Sequence, residues 1–138
     1  AFIVKAGSLD NSGGKLLSGQ KLALVIDEAL ANVKGSISAA ALDMYSAVLD
    51  NTTGLISSRG ALDLTVDTAL NNTKGVVIAD ADVELYAASV DNLEGQLASK
   101  KNLVAHIGNL QQKGGQLIAQ GSLTLTGDAL TNSNKGLI

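Results

Sequence analysis

The chain repeats itself about every 20 residues, and so short a period dictates what it can fold into. Leu9, Leu30, Leu49, Leu70, Val90, Leu110 and Leu130 anchor the copies, at successive steps of 21, 19, 21, 20, 20 and 20 residues. Two positions after each anchor stands an amide: Asn11, Asn32, Asn51, Asn72, Asn92, Gln112 and Asn132. Five positions after it stands Gly14, Gly35, Gly54, Gly75, Gly95 or Gly115, and the last copy carries its glycine one step late, at Gly136. A unit this small cannot enclose a core alone and must stack on its neighbours. Residues 1–138 therefore read as one segment of a repeat array, with a partial coil at 1–8 and repeats starting at those seven anchors.

Within each copy the apolar positions alternate, which is the period of a strand. Seven positions after the anchor come Leu16, Ile37, Ile56, Val77, Leu97 and Leu117. Two further on, the column is small: Ser18, Ala39, Ser58, Ala79, Ser99 and Ala119. A second strand carries Leu22, Leu42, Leu62, Val83, Leu103 and Leu123. Leu24, Met44, Leu64, Leu85, Ala105 and Leu125 follow on the same face. The second copy is one residue shorter between its glycine and this strand. The anchor is expected to open a third, short inward segment. Only Phe2, Tyr45 and Tyr86 are aromatic, too few for an ordinary globular core but enough for thin aliphatic layers. Proline is absent, as suits backbone N–H groups engaged in ladders.

The expected fold is all-β: a parallel β-helix, one coil per repeat, with layers about 4.8 Å apart and a rod of roughly 30–35 Å. The amide column is placed at a corner, where it can bond turn backbone, tolerate left-handed geometry and form a ladder along the rod. The glycine is expected to supply positive φ at the same corner. A leucine-rich repeat shares the period, but its asparagine follows the strand directly; here the asparagine comes after a further anchor.

The phrases Leu49-Asp50-Asn51-Thr52-Thr53-Gly54-Leu55-Ile56-Ser57-Ser58, Leu70-Asn71-Asn72-Thr73-Lys74-Gly75 and LQQKGGQLIAQGSLTLT from Leu110 to Thr126 carry a family resemblance. They resemble the repeats of filamentous haemagglutinin, which also occur in the exoproteins of contact-dependent growth inhibition systems. The resemblance implies a right-handed helical filament, secreted to the surface of a Gram-negative bacterium by two-partner secretion. It implies an outer-membrane β-barrel transporter as the parent protein's partner. It further implies a stalk that displays either an adhesive region or a receptor-binding region with a toxin. Nothing in the chain matches the secretion domain or a toxin of such proteins.

Composition narrows the chemistry. Net charge is −3, with 10 basic and 13 acidic residues interspersed, and the only basic run is Lys100-Lys101. Nucleic acid is therefore not an expected partner. Cysteine is absent, excluding disulfides and thiolate metal sites. No apolar stretch is long enough for a membrane span, and the start lacks a secretion signal. Both ends read as cut from inside an array. Open strand edges there predict end-to-end association of the segment.

Two outward columns carry the remaining functional expectations. Asp43, Asp63 and Glu84 fall in consecutive layers, either as a divalent-cation site or as a solvated stripe that keeps filaments apart. Beside them run Tyr45, Thr65, Tyr86 and His106, a candidate face for a cell-surface receptor or glycan, or simply residues that favour strand surfaces. His106 is the single histidine, so neither a transition-metal site nor a catalytic group is expected. Repeats of even length leave no loop to wall a cleft, so no enzyme and no cofactor are expected.

Overall fold

Alternating apolar residues become strands along the whole chain: the computed structural model, which describes Ala1–Ile138, holds fifteen strands and no helix. Six short strands form one sheet: Lys15–Leu17, Ser36–Ala39, Leu55–Ser58, Val76–Ala79, Gln96–Ser99 and Gln116–Ala119. The second sheet is built on long strands at Lys21–Ala31, Ala41–Asp50, Leu62–Asn71, Val83–Asp91 and Leu103–Lys113. Phe2–Ala6 and Leu9–Asp10 flank it at one end, and Leu123–Thr126 and Ala129–Ser133 at the other. Every pairing is parallel and joins each strand to its equivalents one coil away. The chain is a parallel β-helix, with one turn per repeat.

One expectation needs correction. The anchor does not open a separate third strand in the inner coils. Leu30, Leu49, Leu70, Val90 and Leu110 lie within the long strands, and only the first and last coils split there. The irregular steps have two separate causes. The long strands at Lys21–Ala31 and Leu62–Asn71 each bulge by one extra residue, in the segments Asp27-Glu28 and Asp67-Thr68, against a single residue in their neighbours. Those bulges account for both steps of 21. The step of 19 comes from the tighter turn through Ala40, where its neighbour passes through Arg59 and Gly60. In both cases the inner columns keep their register.

The core is a set of aliphatic files. Leu22, Leu42, Leu62, Val83 and Leu103 are buried on the long sheet, opposite Ile37, Ile56, Val77, Leu97 and Leu117 on the short one. Burying each large aliphatic side chain contributes roughly 1.5–3 kcal/mol. The small column does more than save space. Ser58 and Ser99 are buried and donate to the carbonyls of Ala61 and Ala81, each at 2.7 Å, while accepting the N–H of Gly60 and Lys101. A hydroxyl too small to disturb packing thereby fastens the turn between the sheets.

The amide column lies inside. Asn32, Asn51, Asn72, Asn92 and Gln112 are all fully buried. Asn32 Nδ2 donates to Asn51 Oδ1 at 2.8 Å, Asn51 to Asn72 at 2.8 Å, Asn72 to Asn92 at 2.9 Å, and Asn92 to Gln112 Oε1 at 2.8 Å. Each Nδ2 also reaches a backbone carbonyl of the next coil: Leu55 from Asn32, Val76 from Asn51, Gln96 from Asn72 and Gln116 from Asn92. Gln112 keeps the chain going, donating to Asn132 at 3.3 Å and to the Leu137 carbonyl at 2.9 Å. No buried side-chain polar atom lacks a partner.

The expected role of the glycine is also corrected. Positive φ falls one residue earlier, at Lys34, Thr53, Lys74 and Glu94, and at Gly13 and Gly114 where the repeat places glycine there. Nor does the asparagine itself take left-handed geometry. Gly35, Gly54, Gly75 and Gly95 are needed for close approach. A Cβ on Gly54 would overlap the backbone oxygen of Asn32 and the side-chain oxygen of Asn51. The coils therefore touch, at this corner, with backbone against backbone.

Adjacent residues should then respond in opposite directions. Thr53→Gly relieves a β-branched residue from the left-handed region and is expected to stabilise the fold by about 1 kcal/mol. Gly54→Ala forces neighbouring backbones apart and should cost about 3 kcal/mol. Urea unfolding of both variants checks the pair, and a neutral Gly54→Ala would refute the close-approach account. Asn51→Ala removes a donor and an acceptor from a buried ladder and should likewise cost about 3 kcal/mol in the same assay.

Candidate interaction face

In-register parallel pairing turns one position of the long strand into a vertical file. Val25, Tyr45, Thr65, Tyr86, His106 and Thr126 are successive partners, so the predicted column exists. Strand alternation points it outward, because Leu24, Met44, Leu64, Leu85 and Ala105 beside it are buried.

The column is not one uniform strip. The rings of Tyr86 and His106 stack with centroids 4.7 Å apart and planes 13° from parallel, within the range of a favourable offset pair. Tyr86 stays 42% exposed. Its hydroxyl donates to Glu84 Oε1 at 2.7 Å, two residues back on the same strand. Tyr45 stands apart, beyond Thr65, and its hydroxyl donates to Asp67 in the next coil. That acceptor is one of the two bulge residues and stands two positions beyond Thr65, the in-register partner of Tyr45, on the same outward face. Both phenols are held above their ordinary pKa, chiefly because a carboxylate accepts the hydroxyl proton: Asp67 for Tyr45 and Glu84 for Tyr86.

The acidic column is also present, with Asp43 paired to Asp63 and Asp63 to Glu84. Its carboxylates are exposed and lie side by side along the rod. No three His, Asp or Glu side chains of the chain converge on a common point. A shallow groove of about 420 Å³ runs beside them, lined by Asp63, Asp82, Glu84, Asn102 and Ser122 among others. Within it Asp82 accepts the N–H of Asn102, and Asn102 accepts both the N–H and the hydroxyl of Ser122.

Two features had escaped the reading of the sequence. One is the carboxylate partner of each tyrosine. Both follow from i, i+2 spacing on one strand face: Glu84 stands two residues before Tyr86, and Asp67 two residues after Thr65, the neighbour of Tyr45 in the column. The other is the residue just before four of the seven amides. Asp10, Asp50, Asn71 and Asp91 accept the N–H two residues on, from Ser12, Thr52, Thr73 and Leu93. This Asx turn leads into four of the seven corners; Ala31, Gln111 and Thr131 stand at the other three. Bonds from Ser12 hold the Asp10 carboxyl below its ordinary range.

Asp63, in the middle of the acidic file, has its pKa raised above the ordinary 3.8, first by the partial loss of water around its still exposed carboxylate and then by the charges of Asp43 and Glu84. The folded chain thus binds that proton more tightly than the unfolded chain does. The contribution of Asp63 to stability is greatest in acid and is lost as pH rises through the raised value. Asp63→Asn should accordingly be more stable than the parent at neutral pH, by a few tenths of a kcal/mol after solvent screening. The gain should vanish near about pH 3, where both states are protonated. Thermal melts of the two proteins across pH decide it, and an equal gain at every pH would refute the raised pKa of Asp63.

Comparison with known proteins agrees with this geometry. A family model described as the haemagglutinin repeat matches residues 4–91 and 78–138. No curated protein and no solved structure matches the chain. Because the two matched stretches overlap and together take in nearly all of the coils described above, the chain belongs to the haemagglutinin repeat family, a family of secreted or surface exoproteins.

Proposed function

We propose that this chain is a structural stretch of a filament, a stalk that holds an adhesive or toxin-bearing region away from the cell that secretes it. The observation that carries this reading is continuity. From Asn11 to Asn132 every coil joins the next through the same amide column, fully buried from Asn32 to Gln112, with no inserted loop to interrupt it. Stacked coils convert chain length into reach, and nearest-neighbour contacts let the array lengthen without a new core. The parent is a Gram-negative exoprotein exported through an outer-membrane two-partner secretion transporter. Each new coil folds on the one before as the chain emerges. At the rod ends, Phe2 and Ile3 on one side and Leu137 and Ile138 on the other are exposed; these ends associate head to tail.

A second reading has an observation of its own. Tyr86 and His106 form an exposed, pre-stacked platform, and a rigid aromatic surface gives contact area at low entropic cost. On that reading the coils themselves engage a host receptor, a glycan or a target bacterium during toxin delivery.

Binding of the labelled segment to intact bacterial and mammalian cells separates the two. The stalk reading expects no saturable binding to either. Saturable binding that falls at least about tenfold with Tyr45→Ala plus Tyr86→Ala would establish the adhesive face instead, a loss in the range of interface hot spots.

A further inference from the structure

The triplet Asn-x-Ser/Thr, which marks an asparagine as a sugar acceptor, occurs twice: Asn51-Thr52-Thr53 and Asn71-Asn72-Thr73. The fold treats the two in opposite ways. Asn51 belongs to the ladder and is fully buried, with its Nδ2 donating to Asn72 at 2.8 Å and to the Val76 carbonyl. Its threonine faces elsewhere, since the Thr53 hydroxyl donates to the Thr52 carbonyl. Asn71 stands between buried Leu70 and buried Asn72, so strand alternation turns it outward. Its Oδ1 accepts the N–H of Thr73 at 3.0 Å and the Thr73 hydroxyl at 2.7 Å.

Both partners are donors, so they fix the oxygen and leave the amide nitrogen free of the turn. Asn71 lines a shallow groove of about 290 Å³ together with Ser89, Asp91, Asn109 and Gln111. The turn itself needs only a side-chain oxygen, which Asp10, Asp50 and Asp91 supply in other coils. Among the residues that make it, Asn71 alone adds an NH2 group.

We propose that Asn71 is a glycosylation site whose sugar donor is a glycosyl diphosphate. Transfer joins Asn71 Nδ2 to the anomeric carbon and breaks that carbon's bond to the diphosphate oxygen. The diphosphate leaves with the electron pair, and the amide proton passes to a base of the transferase. An amide nitrogen is a poor nucleophile because its lone pair is shared with the carbonyl. As Nδ2 gives up its proton, negative charge gathers on Oδ1, where the two Thr73 donors are already aimed. At Asn51 no such donors come from Thr53, and the nitrogen is enclosed. The assignment requires only the fold and holds for a stalk and for an adhesive face alike.

Trypsin separates the two sites, because Lys34, Arg59 and Lys74 bound the peptides 35–59 and 60–74. Mass spectrometry of the chain recovered from the bacterium that makes it should find a sugar adduct on 60–74 and none on 35–59. A single ring supports a nucleotide-linked donor and a preassembled block a lipid-linked one; both agree with the proposal. Asn71→Asp keeps the oxygen that the turn needs and should lose the adduct. Thr73→Ala should lose most of it, and Thr73→Ser should retain it. An unmodified 60–74 overturns the proposal, as does an adduct that survives Asn71→Asp. Sugar on 35–59 as well would show that the triplet alone decides, and would overturn it too.

Discussion

The buried amide ladder is the interaction on which the rest of this structure depends. A polar side chain with no access to water costs several kcal/mol unless its bonding capacity is used. Here each amide satisfies that requirement only through the coil beside it: Asn51, for instance, accepts from Asn32 and donates to Asn72 and to the Val76 carbonyl. Stacking in this register is thus the condition for burying the column at all. The aliphatic files supply more free energy, but Leu against Leu is tolerant of sliding. The amides are not, and they specify which residue lies above which.

The corner shows what that specification costs. Coils are drawn close enough there for Gly54 to lie against the Asn32 carbonyl. The chain turns beforehand by placing Lys34, Thr53, Lys74 and Glu94 in the left-handed region, at roughly 1 kcal/mol each. Length variation is kept away from this corner. Extra residues go into bulges at Asp27-Glu28 and Asp67-Thr68, and the missing one comes from the turn at Ala40. One bulge residue, Asp67, also accepts the hydroxyl of Tyr45 on the outer surface.

Much of the fold was legible in the sequence because a solenoid writes its contacts at a fixed offset. Once Leu22, Leu42 and Leu62 share a column, their stacking follows, and so does the outward file through Tyr45, Tyr86 and His106. What periodicity cannot express is local backbone geometry. A recurring glycine has the same signature whether it supplies positive φ or simply lacks a Cβ, and the pattern alone favoured the wrong one of those readings. The bulge was hidden in the same way, since steps of 21 and 19 show that a residue was gained or lost without saying where. The candidate face was legible as a column. It was not legible as a stacked Tyr86–His106 pair with Tyr45 held apart, because side-chain pairing depends on rotamers and on Asp67.

One property of the ladder reaches beyond stability. Every amide from Asn11 through Gln112 donates toward its C-terminal neighbour, and every one from Asn32 onward accepts from its N-terminal neighbour. The file is therefore an arrow. Its aligned dipoles add along the axis and polarise one another, as bonds in series do in a medium of low dielectric. A coil arriving on the C-terminal side meets a waiting donor, and one on the N-terminal side meets a waiting acceptor. The rod thus carries, in its interior, a sense of direction that its outer columns do not reveal.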